Sequence, residues 1–337
     1  MIGVPAQMIR VSLLLISTLV VSPAIASDYH LRPEVLEFID ELVAEEDFDR
    51  TALLSIFNEA SYKQSIVDAI SRPAEKVLEW KDYQDIFLTK KRVEQGRRFL
   101  EENADALAAA HNLYGVPPEI VTSIIGVETM YGQIRGNYRV IDALSTLAFD
   151  YPPRSRFFRS ELKHFLLLAR EEKQSPTSPM GSYAGAMGYG QFIPSSYRHY
   201  AIDFDGDGFR DIWDNRVDAI GSVANYLAEH GWREGETITL PIEVTGAGNT
   251  GLFKEDLSPS ISIEQLQHRG LAGEIGEAGE TKVAPLTFAG KQGPEYWLGF
   301  RNFYVITRYN HSKLYAMAVF QLSQQFRARE VADLNVD

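Results

Sequence analysis

The sequence predicts a mainly α fold of the α+β class, with helices dominant and a small β-containing portion inserted late. Three observations predict it. Apolar residues recur at helical spacing from Leu36 to His230, strand-like alternation is confined to the stretch after Gly231, and a helical pattern returns from His311.

Taken in order, Leu36, Ile39, Leu42 and Val43 make one helical stripe and Val93, Phe99 and Leu100 a second, and Ala104 to His111 is rich in helix formers. Pro117-Pro118 can open a further helix where missing N–H groups cost least, and Gly132 offers an end to it. Asp142 to Phe149 adds another, stopped near Tyr151-Pro152-Pro153, and Phe157 to Glu172 is long and amphipathic. A loop rich in Ser, Pro and Gly runs from Gln174 to Gly181, and Asp218 to His230 resumes as helix. Thr237 to Val244, Lys282 to Phe288 and Phe303 to Thr307 read as strands, and His311 to Arg329 closes as helix.

The chain has 337 residues, 45% of them hydrophobic and 23% charged, which suits a globular protein and not a disordered one. A formal charge of −13 leaves no electrostatic footprint for a nucleic-acid backbone, so nucleic acid is excluded as a partner. At the amino end Arg10 precedes the apolar run Val11 to Val21, and Ala24-Ile25-Ala26 offers a small-residue cleavage site. Residues 1–26 are therefore expected to be a removed signal peptide, with the protein periplasmic. Cysteine is absent, which excludes a thioether lipid anchor, a thiol nucleophile and a thiolate zinc site.

Glu128 falls four residues after Ile124 and three after Ile125, on the apolar side of the helix that Pro117 opens. A carboxylate held there, against isoleucines and an aromatic such as Tyr131, is poorly solvated when ionised, so it is expected to hold a proton near neutrality and to act as a general acid. Most glutamates at the edge of such a face only snorkel or form an ion pair.

Two further stretches carry chemistry. In Asp203-Phe204-Asp205-Gly206-Asp207-Gly208-Phe209-Arg210-Asp211-Ile212-Trp213-Asp214, acids at positions one, three and five, glycine at six and an apolar residue at eight form the pattern by which a tight loop wraps oxygens around Ca²⁺. Phe209 would lend its main-chain carbonyl. Asp214 stands where a longer glutamate usually closes the loop, and Asp218 can reach back instead. Bound calcium would be structural, holding residues 203 to 218. The small-residue stretch from Gly181 to Tyr197 lets backbone and ligand approach closely, while Ser182, Tyr189, Gln191 and Phe192 supply the neutral hydrogen bonds and stacking faces that suit a sugar, or else only a tight turn. Gly246-Ala247-Gly248-Asn249-Thr250-Gly251 copies a nucleotide-loop spacing, but the segment after it is too short and interrupted for the required helix.

Ile125-Gly126-Val127-Glu128-Thr129, Asp142-Ala143-Leu144 leading to Phe149-Asp150-Tyr151-Pro152, Ala184 to Phe192, the Asp203 loop and Asn302 to Ser312 together resemble the membrane-bound lytic murein transglycosylase B family, glycoside hydrolase family 103. The resemblance runs over residues 30 to 330, in order. It implies a lysozyme-like core at 111–230 and 301–337, an added helical portion at 27–110 and a small β-containing portion at 231–300. It also implies cleavage of peptidoglycan glycan strands between N-acetylmuramic acid and N-acetylglucosamine. Glu128 falls on the family's catalytic glutamate, which acts as acid and then base to leave a 1,6-anhydro sugar. By the same resemblance Ser182 and Gln191 would contact the sugar, and Tyr83, Phe192, Tyr226, Tyr309, Asn310 and Tyr315 would line the groove. Asp203, Asp205, Asp207, Phe209 and Asp218 would hold calcium. Where the family commonly has Tyr-Pro-Arg-Arg this chain has Tyr151-Pro152-Pro153-Arg154, so Arg154 alone would meet the substrate's peptide or lactyl groups. Other cell-wall enzymes are candidate partners, and a monomer is expected. A hydrolytic muramidase and a non-catalytic peptidoglycan-binding scaffold are the alternatives.

Overall fold

The computed structural model describes residues 29–72, 78–244, 253, 256–269, 271–272 and 275–333. The expected signal peptide and the Gly246 to Gly251 motif lie outside them. The chain enters through α1 (Pro33–Glu46), α2 (Arg50–Glu59), α3 (Gln64–Ile70) and α4 (Trp80–Phe87), then α5 (Lys90–Glu102) and α6 (Ala104–Tyr114). Caps set several of these starts: Asp49 accepts from Ala52 N, and Thr89 accepts from Arg92 N. Buried Asp142 anchors the early helices to the centre, accepting from Ser61 N at 2.8 Å and from Arg139 at 2.8 and 2.9 Å.

The central helix is α7 (Pro118–Thr129), with Pro118 at its first turn. Residues Ile120 to Val127 and Thr129 are all buried, so this helix is enclosed on every side, by α5, α6, α11 and α14, and Glu128 is its one opening in that span. It ends three residues before the expected Gly132. Met130 and Tyr131 are both left-handed, with φ of 50° and 59°. The cause is tertiary: Tyr131 swings back across Gly126 and Gly96, packs 5.7 Å from the Phe99 ring, and donates to Arg92 O at 2.9 Å.

Strand β1 (Tyr138–Arg139), α8 (Val140–Asp150), α9 (Ser155–Glu171), β2 (Met180–Gly181), α10 (Pro194–Tyr200) and α11 (Arg216–Glu229) follow, with β1 and β2 paired antiparallel. The β portion then contributes β3 (Thr239–Pro241), β4 (Glu243–Val244), β5 (Ile261–Ser262), α12 (Ile263–Gln267), β6 (Leu271–Ala272), β7 (Lys282–Gly290) and β8 (Gly293–Gly299). Its main sheet has order β3-β8-β7-β5, antiparallel throughout, and β4 pairs with β6. The run Thr237 to Val244 is thus two short strands serving two sheets. Helices α13 (Arg301–Tyr309) and α14 (Lys313–Asp333) return to the centre.

The strand expected at Phe303 to Thr307 is helix, inside α13. Its aromatic and β-branched composition favours strand, but Arg301, Tyr304 and Arg308 stay partly exposed at helical spacing while Phe303, Val305, Ile306 and Thr307 are buried. One apolar core draws on residues from Tyr29 to Phe326, and a smaller one under the β portion joins Ile263, Leu266, Val283, Leu298 and Phe300. Among the described residues, no helix is long and apolar enough to cross a membrane.

Candidate active site

Glu128 sits in the last turn of α7, half-buried, and the Tyr315 hydroxyl of α14 donates to its Oε1 at 2.7 Å. Around it stands a wall of aromatic rings. Tyr315 stacks on Tyr309 at 6.4 Å and 6°, and Tyr309 meets Tyr226 at 4.7 Å and Phe192 at 5.8 Å. Phe192 lies 5.8 Å from Tyr226. Tyr309 donates to Gly190 O and Tyr226 to Arg308 O, each at 2.6 Å, which locks both rings in place. Burial raises the Tyr315 and Tyr309 hydroxyls well above the usual phenol range, with the charge of Glu128 the next cause for both, and Tyr226 is pushed up to about 12. These hydroxyls therefore stay protonated, and the wall is neutral.

The stretch from Gly181 to Phe192 folds as a tight hairpin. Met187 and Phe192 exchange both main-chain hydrogen bonds, at 2.9 and 3.0 Å, and Ser182 Oγ accepts from Ala184 N and Ala186 N at 3.3 and 3.1 Å. Gln191, left-handed at φ 51°, donates from Nε2 to Gly188 O at 3.0 Å and to Arg135 O at 3.3 Å. Two carbonyl partners fix which end of the amide is nitrogen. Both amide hydrogens are spent, so Gln191 presents Oε1, an acceptor that fits a sugar hydroxyl or an acetamido N–H.

The acidic loop lies behind the hairpin. Carboxylate oxygens of Asp203, Asp205 and Asp218 lie within 4.8 Å of one another. Main-chain N–H groups fold onto them: Gly206, Asp207 and Gly208 onto Asp203, and Phe204 and Asp211 onto Asp218, each of these between 2.8 and 3.0 Å. Asp218 is fully buried, and burial followed, among raising causes, by the Asp205 charge lifts its pKa. Three convergent hard oxygens with a like-charge conflict fit a divalent cation such as Ca²⁺. Asp207 falls outside that trio, its Oδ1 accepting from Phe209 N at 2.9 Å, and the Phe209 side chain is 50% exposed, so any part it plays is through the main chain. Asp214 points away, 80% exposed and paired with Arg135 at 3.0 Å.

The other expected groove residues are Tyr83, Arg154 and Asn310. Tyr83 is buried on α4, 4.8 Å from the Phe87 ring. Arg154 is exposed at the start of α9, over the rings of Phe157 and Phe158 at 4.3 and 5.1 Å. Asn310 follows α13 in extended conformation, half-buried.

Several residues that sequence reasoning missed shape the site. Arg92, buried, donates from Nε to Gly126 O at 3.1 Å and so ties α5 to the helix that carries Glu128. Thr129 Oγ1 lies 3.1 Å from Ile125 O and 3.0 Å from Tyr189 O, joining the end of α7 to the hairpin. His230 stacks on Tyr226 at 4.1 Å and Tyr200 packs edge-on to it at 4.6 Å. Arg92 acts on a carbonyl 34 residues away and Thr129 on one 60 away, so no local motif marks either, whereas His230 stands four residues from Tyr226, at helical spacing.

A half-buried carboxyl, held by a tyrosine in a neutral aromatic wall within a helical frame, is the arrangement of a glycan-cleaving protein of the lysozyme-like class. The chain belongs to the transglycosylase SLT domain family, whose model matches residues 30–324. It is 42% identical over 306 residues to the membrane-bound lytic murein transglycosylase B of Escherichia coli strain K12, covering 88% of this chain and 83% of that one. The structure is similar to that of the soluble lytic transglycosylase SltB1 from Pseudomonas aeruginosa, with TM-score 0.85 and 50% identity over 88% of this chain and all of that one. It is also similar to the Escherichia coli lytic transglycosylase Slt35 in complex with calcium, with TM-score 0.83 and 42% identity over 91% and 96% of the two chains.

Proposed function

We propose that this lytic transglycosylase cleaves the β-1,4 bond between N-acetylmuramic acid and N-acetylglucosamine in peptidoglycan, with Glu128 as acid and then base. The carboxyl gives its proton to the departing glycosidic oxygen as the C1–O bond breaks. The resulting carboxylate takes the proton of the muramoyl C6 hydroxyl as that oxygen attacks C1, closing a 1,6-anhydro ring and restoring the acid. An ordinary glycosidase needs a second carboxylate to activate water or to form a covalent intermediate. A hydroxyl of the same sugar, already held near C1, replaces it through high effective concentration. The observation that carries this reading is Glu128 opening from an otherwise enclosed helix onto a wall of protonated tyrosines, with Tyr315 on its Oε1.

Ser182, Gln191, Phe192, Tyr226, Tyr309 and Tyr315 take the roles of sugar contacts and groove lining, joined by Tyr83, Asn310 and Arg154. The acids Asp203, Asp205, Asp207 and Asp218 with the Phe209 carbonyl would hold Ca²⁺. The cation supplies charge neutralisation that locks the loop. Its convergent carboxylate supports Asp218 over Asp214 as the closing ligand. The protein would work in the periplasm as an exported monomer.

Intact-mass analysis of muropeptides released from purified sacculi tests the chemistry. The expected product is one water lighter than a hydrolytic one. Glu128→Gln is expected to lower turnover by about 10²- to 10⁴-fold, the usual weight of general acid–base catalysis. A free reducing end would make the protein a muramidase, and unchanged turnover in the variant would make Glu128 a bystander.

A further inference from the structure

Gln191 is held by two carbonyls, and both are tied to the same turn of the acidic loop. That turn, Asp211 to Asp214, begins with Asp211 N donating to Asp218 Oδ2 at 2.8 Å, and Asp211 Oδ1 then accepts from Trp213 N and Asp214 N at 2.9 and 3.0 Å. The first tie is main chain only: Tyr189 N donates to Ile212 O at 3.0 Å, and Gly188 packs against that same carbonyl. Ile212 is 2% exposed, so this tie is anchored in the core whatever the loop does.

The second tie is different. The Arg135 guanidinium donates to Trp213 O and to Asp214 Oδ1, lies 5.3 Å from the Tyr189 ring centroid, and leaves its own main-chain carbonyl to receive Gln191 Nε2. Arg135 and Gly136, together with Asp211, Trp213 and Asp214, line a cavity of about 380 Å³. The guanidinium's two hydrogen bonds join these segments beside it. Arg135 Nη1 ends on half-buried Trp213 and exposed Asp214, which the Asp211 turn ties to Asp218.

We propose that Arg135 is a positioning residue that couples cation binding at Asp203, Asp205 and Asp218 to glycan binding at Gln191. With the loop drawn tight, the 211–214 turn fixes Arg135, and the Arg135 carbonyl holds the Gln191 amide so that Oε1 faces the sugar. With the loop loose, Arg135 loses its two acceptors and Gln191 keeps only Gly188 O. A planar guanidinium can serve a carbonyl and a carboxylate at once, which a lysine ammonium on a flexible stem does less well. Coupling of this kind is reciprocal: whatever factor calcium adds to glycan affinity, glycan adds to calcium affinity.

The inference rests on the proposed glycan reading of Gln191, and the experiment separates the two. In the Glu128→Gln background, where sacculi are not consumed, affinity for purified peptidoglycan is measured by co-sedimentation with calcium and after chelation. Calcium binding itself is followed by thermal shift. Calcium is expected to tighten binding about tenfold, a usual coupling strength. Adding Arg135→Met is expected to cut that enhancement to about twofold or less while the calcium-induced thermal shift persists, and Arg135→Lys to fall between. Full enhancement in Arg135→Met, or calcium binding without any enhancement in the parent, overturns the coupling, as does a parent with no calcium-induced thermal shift. A parent that binds no peptidoglycan in either state brings down the glycan reading and the coupling with it.

Discussion

The hairpin at 181–192 and the loop at 203–218 use one device for opposite ends. Both fold main-chain N–H groups back onto side-chain oxygens, but the hairpin's acceptor is the neutral Ser182 hydroxyl, whereas the loop's are carboxylates crowded within 4.8 Å. The hairpin is held by close packing and the loop by charge. Glycines make the contrast testable. A Cβ at Gly188 would lie 2.4 Å from the Ile212 carbonyl oxygen at φ +69°, whereas at Gly206, with φ +78°, it would meet nothing within 4 Å. Gly188→Ala is expected to cost about 3 kcal/mol, from left-handed strain and overpacking together, and Gly206→Ala about 1 kcal/mol from strain alone. Denaturant midpoints for the two variants check this, and equal losses would break the distinction.

A smaller effect sharpens the same distinction from the side of the wall. Tyr315 is buried, stacked on Tyr309, and linked to Glu128 by one hydroxyl. Tyr315→Phe keeps the ring and removes the donor. A hydrogen bond to a charged group is worth about 1.5–3 kcal/mol, so turnover on sacculi should fall at least about tenfold with little change in thermal stability. A stability loss without a turnover loss would assign Tyr315 to packing alone.

How much of this was legible in the sequence follows from range. Helix α7 was legible from Pro117-Pro118 and the apolar run, because both act within a few residues. Its end was not, because what stops it is Tyr131 turning into a recess built by Gly96, Gly126 and the Arg92 carbonyl. At Phe303 to Thr307 the aromatic and β-branched composition favours strand and the burial period favours helix, and the period prevails. At the site, Glu128, Ser182, Gln191 and the acidic loop stand out as residue types in compact motifs. Arg92 and Arg135 do not, since each acts through a guanidinium on carbonyls distant in sequence: Gly126 lies 34 residues from Arg92, and Trp213 lies 78 from Arg135.

The mildest test puts a charge where the wall tolerates none. His230 stacks on Tyr226 with Nδ1 2.7 Å from Tyr226 O, and burial lowers its pKa, with Arg308 and His199 pushing the same way and Glu229 and the Tyr226 carbonyl opposing. The unfolded chain protonates His230 near pH 6.5, the folded chain only at lower pH. Between those points the unfolded state binds more protons, so this residue's contribution to stability is intact above about pH 6.5 and is lost as the pH falls through the folded value. His164 is lowered too, also chiefly by burial, so wild type alone would not isolate the effect. The comparison is therefore between wild type and His230→Gln, with melting temperature followed from neutral to mildly acidic pH. The variant is expected to lose less stability on acidification, and its curve should approach that of wild type as the pH falls. Parallel curves would mean that the imidazole is solvated enough to charge without cost, and that the neutrality of the wall stops short of His230.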